Sequence, residues 1–277
     1  MRKFEPAVYT MLKYLLLVFI LICTIYPLYW MSYAGSFTPA QLSKFIIAWK
    51  PGDQYLHNYE LIKLAFSMVK VMGNTVFVAV LGTFFSLLVN LMMGYALAKY
   101  EFRFKNAIFN VFVITLFVGG AAAMIPQFEI IMKLGLYNNL FAIILPAIYS
   151  PYLAFLARQT MLDFPTEIMQ AGRIDGCGEF GIFFKLALPN MKAIIATIGI
   201  ISFMGYWNGY LWNLIVTSSV DQYTLQVALA SIYPKAGLWG YAPIKMLGAT
   251  ISILPILVIF ISMQKYFVNS MTGAVKG

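Results

Sequence analysis

Gly176, Gly178 and Gly181 fall within "EIMQAGRIDGCGEFGIFFKLALPN", residues 167–190, and spell the GxGxxG spacing that can cradle a dinucleotide pyrophosphate. That chemistry needs a strand before the first glycine, a helix opening at the last, and an acidic residue about 20 positions on within a βαβ unit. Residues 165–174 read as a helix instead, with Pro165 in its first turn and Glu167 near its positive end, and an apolar run follows the glycines. Glycine after a helix more often stops it, because it takes the left-handed conformation without a Cβ penalty. The stretch therefore reads as a short helix, a tight turn at 176–178 and a second short helix leading to Pro189. Its five charged residues within nineteen positions make it a polar, compact surface in an otherwise oily chain.

Other chemistries are thinly represented. No GxxxxGK[ST] loop occurs, so the chain is not expected to hydrolyse nucleotide or to act as an enzyme. His57 stands alone, no Cys/His cluster has metal-ligand spacing, and Cys23 and Cys177 fall in unlike segments, so neither a metal nor a disulfide is expected. Polar recognition is better represented. Ser202, Tyr206, Tyr210, Asn213 and Thr217 recur at helical spacing, with Trp207, Asn208 and Trp212 on adjoining faces. Aromatic rings beside hydrogen-bonding groups suit sugars, whereas the bland alternative is interfacial Tyr/Trp and polar glue between helices. Glu129 and Lys133, four apart beside Gln127, read either as an intrahelical ion pair or as a polar contact at an outer gate.

The elements that must position these residues follow from composition. The 277 residues are 61% hydrophobic and 10% charged, with mean hydropathy +0.80, against roughly 45–50% apolar and about 25% charged in a soluble domain. The chain is an integral membrane protein. A net charge of +9 is scattered between apolar runs rather than gathered in a stripe, which excludes nucleic-acid binding as its role and makes the charge a topology signal. A spanning helix needs about 20 apolar residues, and six runs offer them: 12–33, 74–98, 107–132, 139–158, 193–217 and 246–267. None alternates with period two, so the expected fold is all-α, a polytopic membrane protein forming a single domain over 1–277 with six transmembrane helices. The first run follows Arg2, Lys3 and Lys13 but is too long for a signal-peptide core and is read as a retained span. Basic residues at the N-terminus, at Lys99, Arg103 and Lys105, and at Arg158, Arg173, Lys185 and Lys192 place these segments, and both termini, in the cytoplasm; residues 35–73 form an extracytoplasmic loop and 163–189 a cytoplasmic one. Pro126, Pro146, Pro151 and Pro255 sit in or beside spans, as packing irregularities or as bends lining a pathway.

At the loop the chain resembles the permease subunits of binding-protein-dependent ABC importers, whose signature is EAA, three residues, Gly, nine residues and I-x-L-P. Here Gln170-Ala171-Gly172 is followed by Arg173-Ile174-Asp175, Gly176, nine residues and Leu186-Ala187-Leu188-Pro189. Further segments are similar to the carbohydrate subgroup, typified by the maltose transporter's smaller permease: "LGL" at 134–136, "YALAKYEFRFKN" at 95–106, "YWNGYLWNL" at 206–214 and the tail "AVKG". The resemblance implies a helix-turn-helix coupling element built on Glu167, Gln170, Ala171, Gly172, Asp175, Gly176, Leu188 and Pro189, with a secondary ATPase contact at 275–277. Within that resemblance the aromatic and polar residues read above, Tyr206, Trp207, Asn208, Tyr210, Trp212, Asn213, Gln127 and Glu129, become a candidate substrate pathway, although in this family the smaller permease can shape the path without holding the sugar. The resemblance also implies partners: a second permease subunit, two ATPase subunits that hold ATP and Mg2+ while this chain binds no cofactor, and an extracytoplasmic substrate-binding protein. The implied setting is a bacterial or archaeal cytoplasmic (inner) membrane, with a carbohydrate, by preference an oligosaccharide, as substrate. Gln170 departs from the usual glutamate and cannot form a full-charge pair, a role left to Glu167; Gly172 replaces alanine and lowers helix propensity by about 1 kcal/mol. A permease for another solute, or a self-sufficient secondary transporter, is the alternative; the latter would call for inverted repeats and midplane charges that the sequence does not display.

Overall fold

The computed structural model describes residues 7–44, 50–117, 120–232 and 241–273. Among the described residues the secondary structure is helical throughout: α1 (Ala7–Ala34), α2 (Pro39–Ser43), α3 (Tyr55–Ala65), α4 (Met68–Lys99), α5 (Lys105–Thr115), α6 (Gly120–Lys133), α7 (Phe141–Ala147), α8 (Pro151–Leu162), α9 (Thr166–Ile174), α10 (Glu179–Gly181), α11 (Lys192–Trp207), α12 (Leu211–Val216), α13 (Leu225–Ser231) and α14 (Ala242–Gly273). A π-turn at Ile182–Ala187 and a 3-10 turn at Leu188–Asn190 carry α10 on towards α11. The tail 274–277, and with it the resemblance-implied contact at 275–277, lies outside the described residues.

The chain divides into two compact units. The first contains residues 1–68 and 229–259. Its α1 is long and apolar enough to cross a membrane, and its apolar side chains are exposed along almost the whole helix, a surface for lipid or another apolar partner. The loop after α1 is fixed by Asn58, buried on α3, whose Nδ2 donates to the carbonyls of Gly35 (2.9 Å) and Phe37 (3.0 Å).

The second unit holds residues 69–228 and 260–277. It is organised around α4, which like α1 is long and apolar enough to cross a membrane unaided. The run 74–98 is one unbroken helix, whereas each of the next three runs is divided between two helices. The run 107–132 is divided between α5 and α6, and 139–158 between α7 and α8, which meet at 45°. The run 193–217 is divided between α11 and α12. Two of these breaks have plain causes. Pro151 lacks an N–H and forces Ser150 into extended backbone (φ −134°, ψ 121°), ending α7. Gly209 and Tyr210 (φ −124°, ψ −67°) interrupt the fifth run.

Contacts along α4 give the direction of its neighbours. Asn90 meets 148–150, Gly94 faces Ala157 and Arg158, and Lys99 donates to the Leu162 carbonyl (3.2 Å), so α4 and α8 run parallel. Asn74 donates to the carbonyls of Asp221 (2.8 Å) and Tyr223 (3.0 Å), and Ser86 pairs with Ser202 (3.0 Å), so α11 runs the opposite way. At Gly94 a Cβ would lie 2.4 Å from the Ala157 Cβ and 2.7 Å from the Arg158 nitrogen, which explains a glycine in mid-helix.

Candidate functional site

Two features of the second unit gather the residues singled out by sequence. The first is the element at 166–190. α9 is amphipathic: Met169 and Gly172 are buried, whereas Glu167, Gln170, Ala171, Ile174 and Asp175 line its exposed face. The helix stops at Gly176, whose φ is +78°; the Cys177 N–H reaches back to the Gly172 carbonyl (2.9 Å) and the Gly176 N–H to that of Arg173 (3.1 Å). These paired bonds satisfy the last carbonyls of the helix and demand a residue at ease in the left-handed region. The glycines turn the chain, as their order after a helix implies.

Gly172 has a second reason. A Cβ there would come 2.6 Å from Leu186 Cδ1 and 3.3 Å from Ile182 Cγ1, so the missing side chain lets α9 lie directly on the following helical turns. Met169, Ile182, Phe183 and Ala187 are buried with Leu91 and Tyr95 of α4, Leu153 and Met161 of α8, and Phe164. Burying each large side chain of this kind contributes about 1.5–3 kcal/mol, which gives the element a stiff base. Leu188 is half-buried against this cluster and Pro189 is exposed beside it.

A polar clasp closes the element. Arg173 Nε donates to Glu179 Oε1 (2.8 Å) and Nη2 to Oε2 (3.3 Å), and the Tyr100 hydroxyl donates to the same carboxylate from the end of α4. Arg173, then Tyr100, holds the Glu179 carboxyl below its usual range, and burial followed by the bond to Glu179 pushes the Tyr100 phenol up. The outer surface carries Ile174, 86% exposed, and Phe180, 69% exposed.

The second feature is a cavity of about 390 Å³ lined by Ser86, Gln127, Ser150, Ser202, Tyr206, Trp212 and Asn213 together with apolar residues and glycines. Of the pathway candidates, Gln127, Tyr206, Trp212 and Asn213 line it. Trp207 is buried elsewhere against Phe203 (5.5 Å between rings), Asn208 and Tyr210 are exposed at the break after α11, and Glu129 is exposed on α6. The break separates the expected single stripe: Ser202, Tyr206, Asn213 and Thr217 are buried and Tyr210 is not. Among the described residues no ion pair joins Glu129 to Lys133; the pairs formed are Lys63–Glu60, Lys105–Glu101 and Arg173–Glu179.

The cavity wall is held by its own hydrogen bonds. The Tyr206 hydroxyl donates to the Ile144 carbonyl (3.1 Å) and Trp212 Nε1 to that of Ala142 (3.0 Å). Asn213 Nδ2 donates to the Gly209 carbonyl (2.8 Å) and Thr224 Oγ1 (3.1 Å). Gly82 makes room for the Tyr206 ring, whose atoms lie 2.5–2.8 Å from where a Cβ would stand. Among the described residues no charged side chain lines the cavity. Arg173, Glu179, Tyr100, Ser86 and Asn90 were not singled out by sequence. Asn90 had a legible signal, a lone amide in the middle of an apolar span.

Residues 9–273 match the model of the family described as "Binding-protein-dependent transport system inner membrane component". The chain belongs to this family. It is 41% identical over 206 residues to the arabinooligosaccharides transport system permease protein AraQ of Halalkalibacterium halodurans, covering 74% of this chain and 73% of that one. It is 34% identical over 256 residues to the lactose transport system permease protein LacG of Rhizobium radiobacter, covering 91% of each. Among solved structures, one chain of a bacterial ABC transporter involved in the import of the acidic polysaccharide alginate superposes with a TM-score of 0.81 over 94% of this chain and 97% of that one, at 22% identity, a likeness of fold. As a permease of this family the chain is an integral membrane transport subunit rather than an enzyme, and it works with a binding protein.

Proposed function

We propose that this permease carries a neutral carbohydrate, by preference an oligosaccharide, across a bacterial or archaeal inner membrane as one half of an ATP-driven importer. Six spans, with α5–α6, α7–α8 and α11–α12 as bent ones, leave both termini and the element at 166–190 in the cytoplasm. The parallel course of α4 and α8 and the reverse course of α11 support this topology. A second permease subunit completes the path, two ATPase subunits hold ATP and Mg2+, and an extracytoplasmic binding protein delivers the sugar. The sugar class is supported by the arabinooligosaccharide and lactose systems named for its relatives and by the uncharged lining of the cavity.

The observation that carries the reading is the exposed face of α9 and the following turn, with Glu167, Gln170, Ile174, Asp175 and Phe180 presented from a buried apolar base. ATPase closure pushes on this face, and the base passes the motion to α4, α8 and α11. Glu167 supplies the charge that Gln170 lacks. The test is ATP-driven uptake of arabinotriose and lactose by the reconstituted complex, with Glu167→Gln expected to weaken binding-protein-stimulated ATPase activity. Unchanged transport in that variant removes Glu167 from the contact, and failure of the chain to assemble with any ATPase subunit sinks the reading as a whole.

A further inference from the structure

Asn90 is fully buried in the apolar middle of α4 and spends its amide on groups of another helix. Its Nδ2 donates to the Ile148 carbonyl (2.9 Å) and to the Ser86 carbonyl one turn back (2.7 Å), while its Oδ1 accepts the Ser150 N–H (3.0 Å). Ile148 and Ser150 flank the break between α7 and α8. In an unbroken helix the Ser150 N–H would bond to the Pro146 carbonyl and the Ile148 carbonyl would accept from residue 152. Pro151 ends that pattern by forcing Ser150 into extended backbone. In a membrane-spanning segment such freed groups must be satisfied from within the protein. Asn90 satisfies both, one with each end of its amide.

The position is set by the close approach of α4 and α8. Gly94, one turn along α4 on the same face, lets the backbone of Ala157–Arg158 come close, and this brings Asn90 within reach of the break. The bend in turn forms a wall of the cavity, since Pro146, Ala147, Ser150, Tyr152 and Leu153 line it from both sides of the break. Ser86, which Asn90 also contacts at 3.1 Å, pairs with Ser202 on the facing wall.

We propose that Asn90 is a positioning residue for transport, a side-chain replacement for the backbone bonds missing at Ser150–Pro151, which fixes the bend that shapes the cavity. This rests on the reading of the cavity as part of the solute path. Asn90→Ala leaves the Ile148 carbonyl and the Ser150 N–H without partners, so the bend is no longer held at one angle. Asn90→Asp separates positioning from simple bulk. A protonated aspartic acid can donate to Ile148 and accept from Ser150, whereas the ionised form presents a second acceptor to the Ile148 carbonyl. Burial favours the protonated form, so transport by that variant is expected to match wild type wherever the acid is protonated.

The experiment uses the assembled complex in proteoliposomes, with arabinotriose and lactose as probes and ATP consumption measured in parallel. In addition, spin labels are placed on the exposed positions Leu145 and Leu162, on either side of the bend, with Cys23 and Cys177 replaced by serine. Asn90→Ala is expected to lower sugar moved per ATP at least fivefold and to broaden the interspin distance distribution at least twofold. Asn90→Asp is expected to match wild type in both readouts at pH 5, where the buried acid is protonated. A wild-type distance distribution in Asn90→Ala, or an Asn90→Asp variant as impaired at pH 5 as Asn90→Ala, overturns the inference. Gly205→Phe tests the underlying reading separately: Gly205 lines the cavity and a Cβ there meets nothing within 4 Å, so the new ring fills the space. If that variant transports normally, the cavity is not on the path and the role of Asn90 in transport falls with it; if it blocks uptake while Asn90→Ala does not, only the role of Asn90 falls.

Discussion

Gly82→Ala adds one methyl group to α4 and should destabilise the cavity wall far more than its size implies. The new Cβ would stand 2.5, 2.6 and 2.8 Å from Cζ, Cε2 and Cε1 of Tyr206, and these belong to a rigid ring rather than to the end of a flexible chain. The ring must swing away, which overpacks its surroundings at about 1–3 kcal/mol. The swing also pulls the hydroxyl off the Ile144 carbonyl, 3.1 Å away, a buried bond worth about 0.5–1.5 kcal/mol. Together these give about 1.5–4.5 kcal/mol, on the order of 3–18 °C in the thermal midpoint of a chain this long. The assay is a double-mutant cycle on the detergent-purified protein, with Tyr206→Leu as the second change, because leucine ends at its Cδ carbons and has no counterpart of the Cε and Cζ atoms that the new Cβ would meet. In that background Gly82→Ala should be neutral or slightly stabilising, as alanine is the better helix former by about 0.5–1 kcal/mol. An equal loss in both backgrounds would refute the reasoning, since the penalty would then owe nothing to the ring.

Three further outcomes follow from the element at 166–190. Gly176→Val places a β-branched residue at φ +78°, a conformation costing about 1–2 kcal/mol for an L-residue, and hydrogen exchange should show faster opening of the turn at 176–178 than in wild type. Glu179 has a lowered pKa, so the contribution of its clasp is present above the ordinary value of 4.5 and is lost as pH falls through the lowered one; exchange protection of the turn should fade only below pH 4.5, and Glu179→Gln should remove that dependence. Phe180→Asp, on a side chain 69% exposed, should leave the thermal midpoint of the isolated chain within about 0.5 kcal/mol equivalent while reducing ATPase subunit recovery on copurification.

The sequence made the helical class and the turn at Gly176 legible because each depends on local rules. Apolar runs of spanning length and a glycine closing an amphipathic helix carry their meaning without knowledge of neighbours. It did not show where the runs 139–158 and 193–217 divide into separate helices, because proline and glycine inside an apolar helix bend it or not according to what can satisfy the freed backbone. At Ser150 that partner is Asn90, 60 residues away in sequence. The polar stripe was legible only as far as the helix lasted: Ser202 and Tyr206 share a buried face, and Tyr210 leaves it where α11 ends. Gly172, weak by propensity, gains its reason from Leu186 and Ile182, which only the folded turn brings against it. The Arg173–Glu179–Tyr100 clasp joins residues up to 79 positions apart and has no sequence period to reveal it.

On the proposed function, sugar moves through this permease only when ATP energy reaches it through the face at 166–190. The direct measurement is uptake of arabinotriose and lactose into proteoliposomes holding the permease pair, the ATPase subunits and the binding protein, with each component left out in turn. Uptake should need ATP and every component and should fall with Phe180→Asp; sugar accumulation by the chain alone, without ATP or partners, would overturn the proposed function.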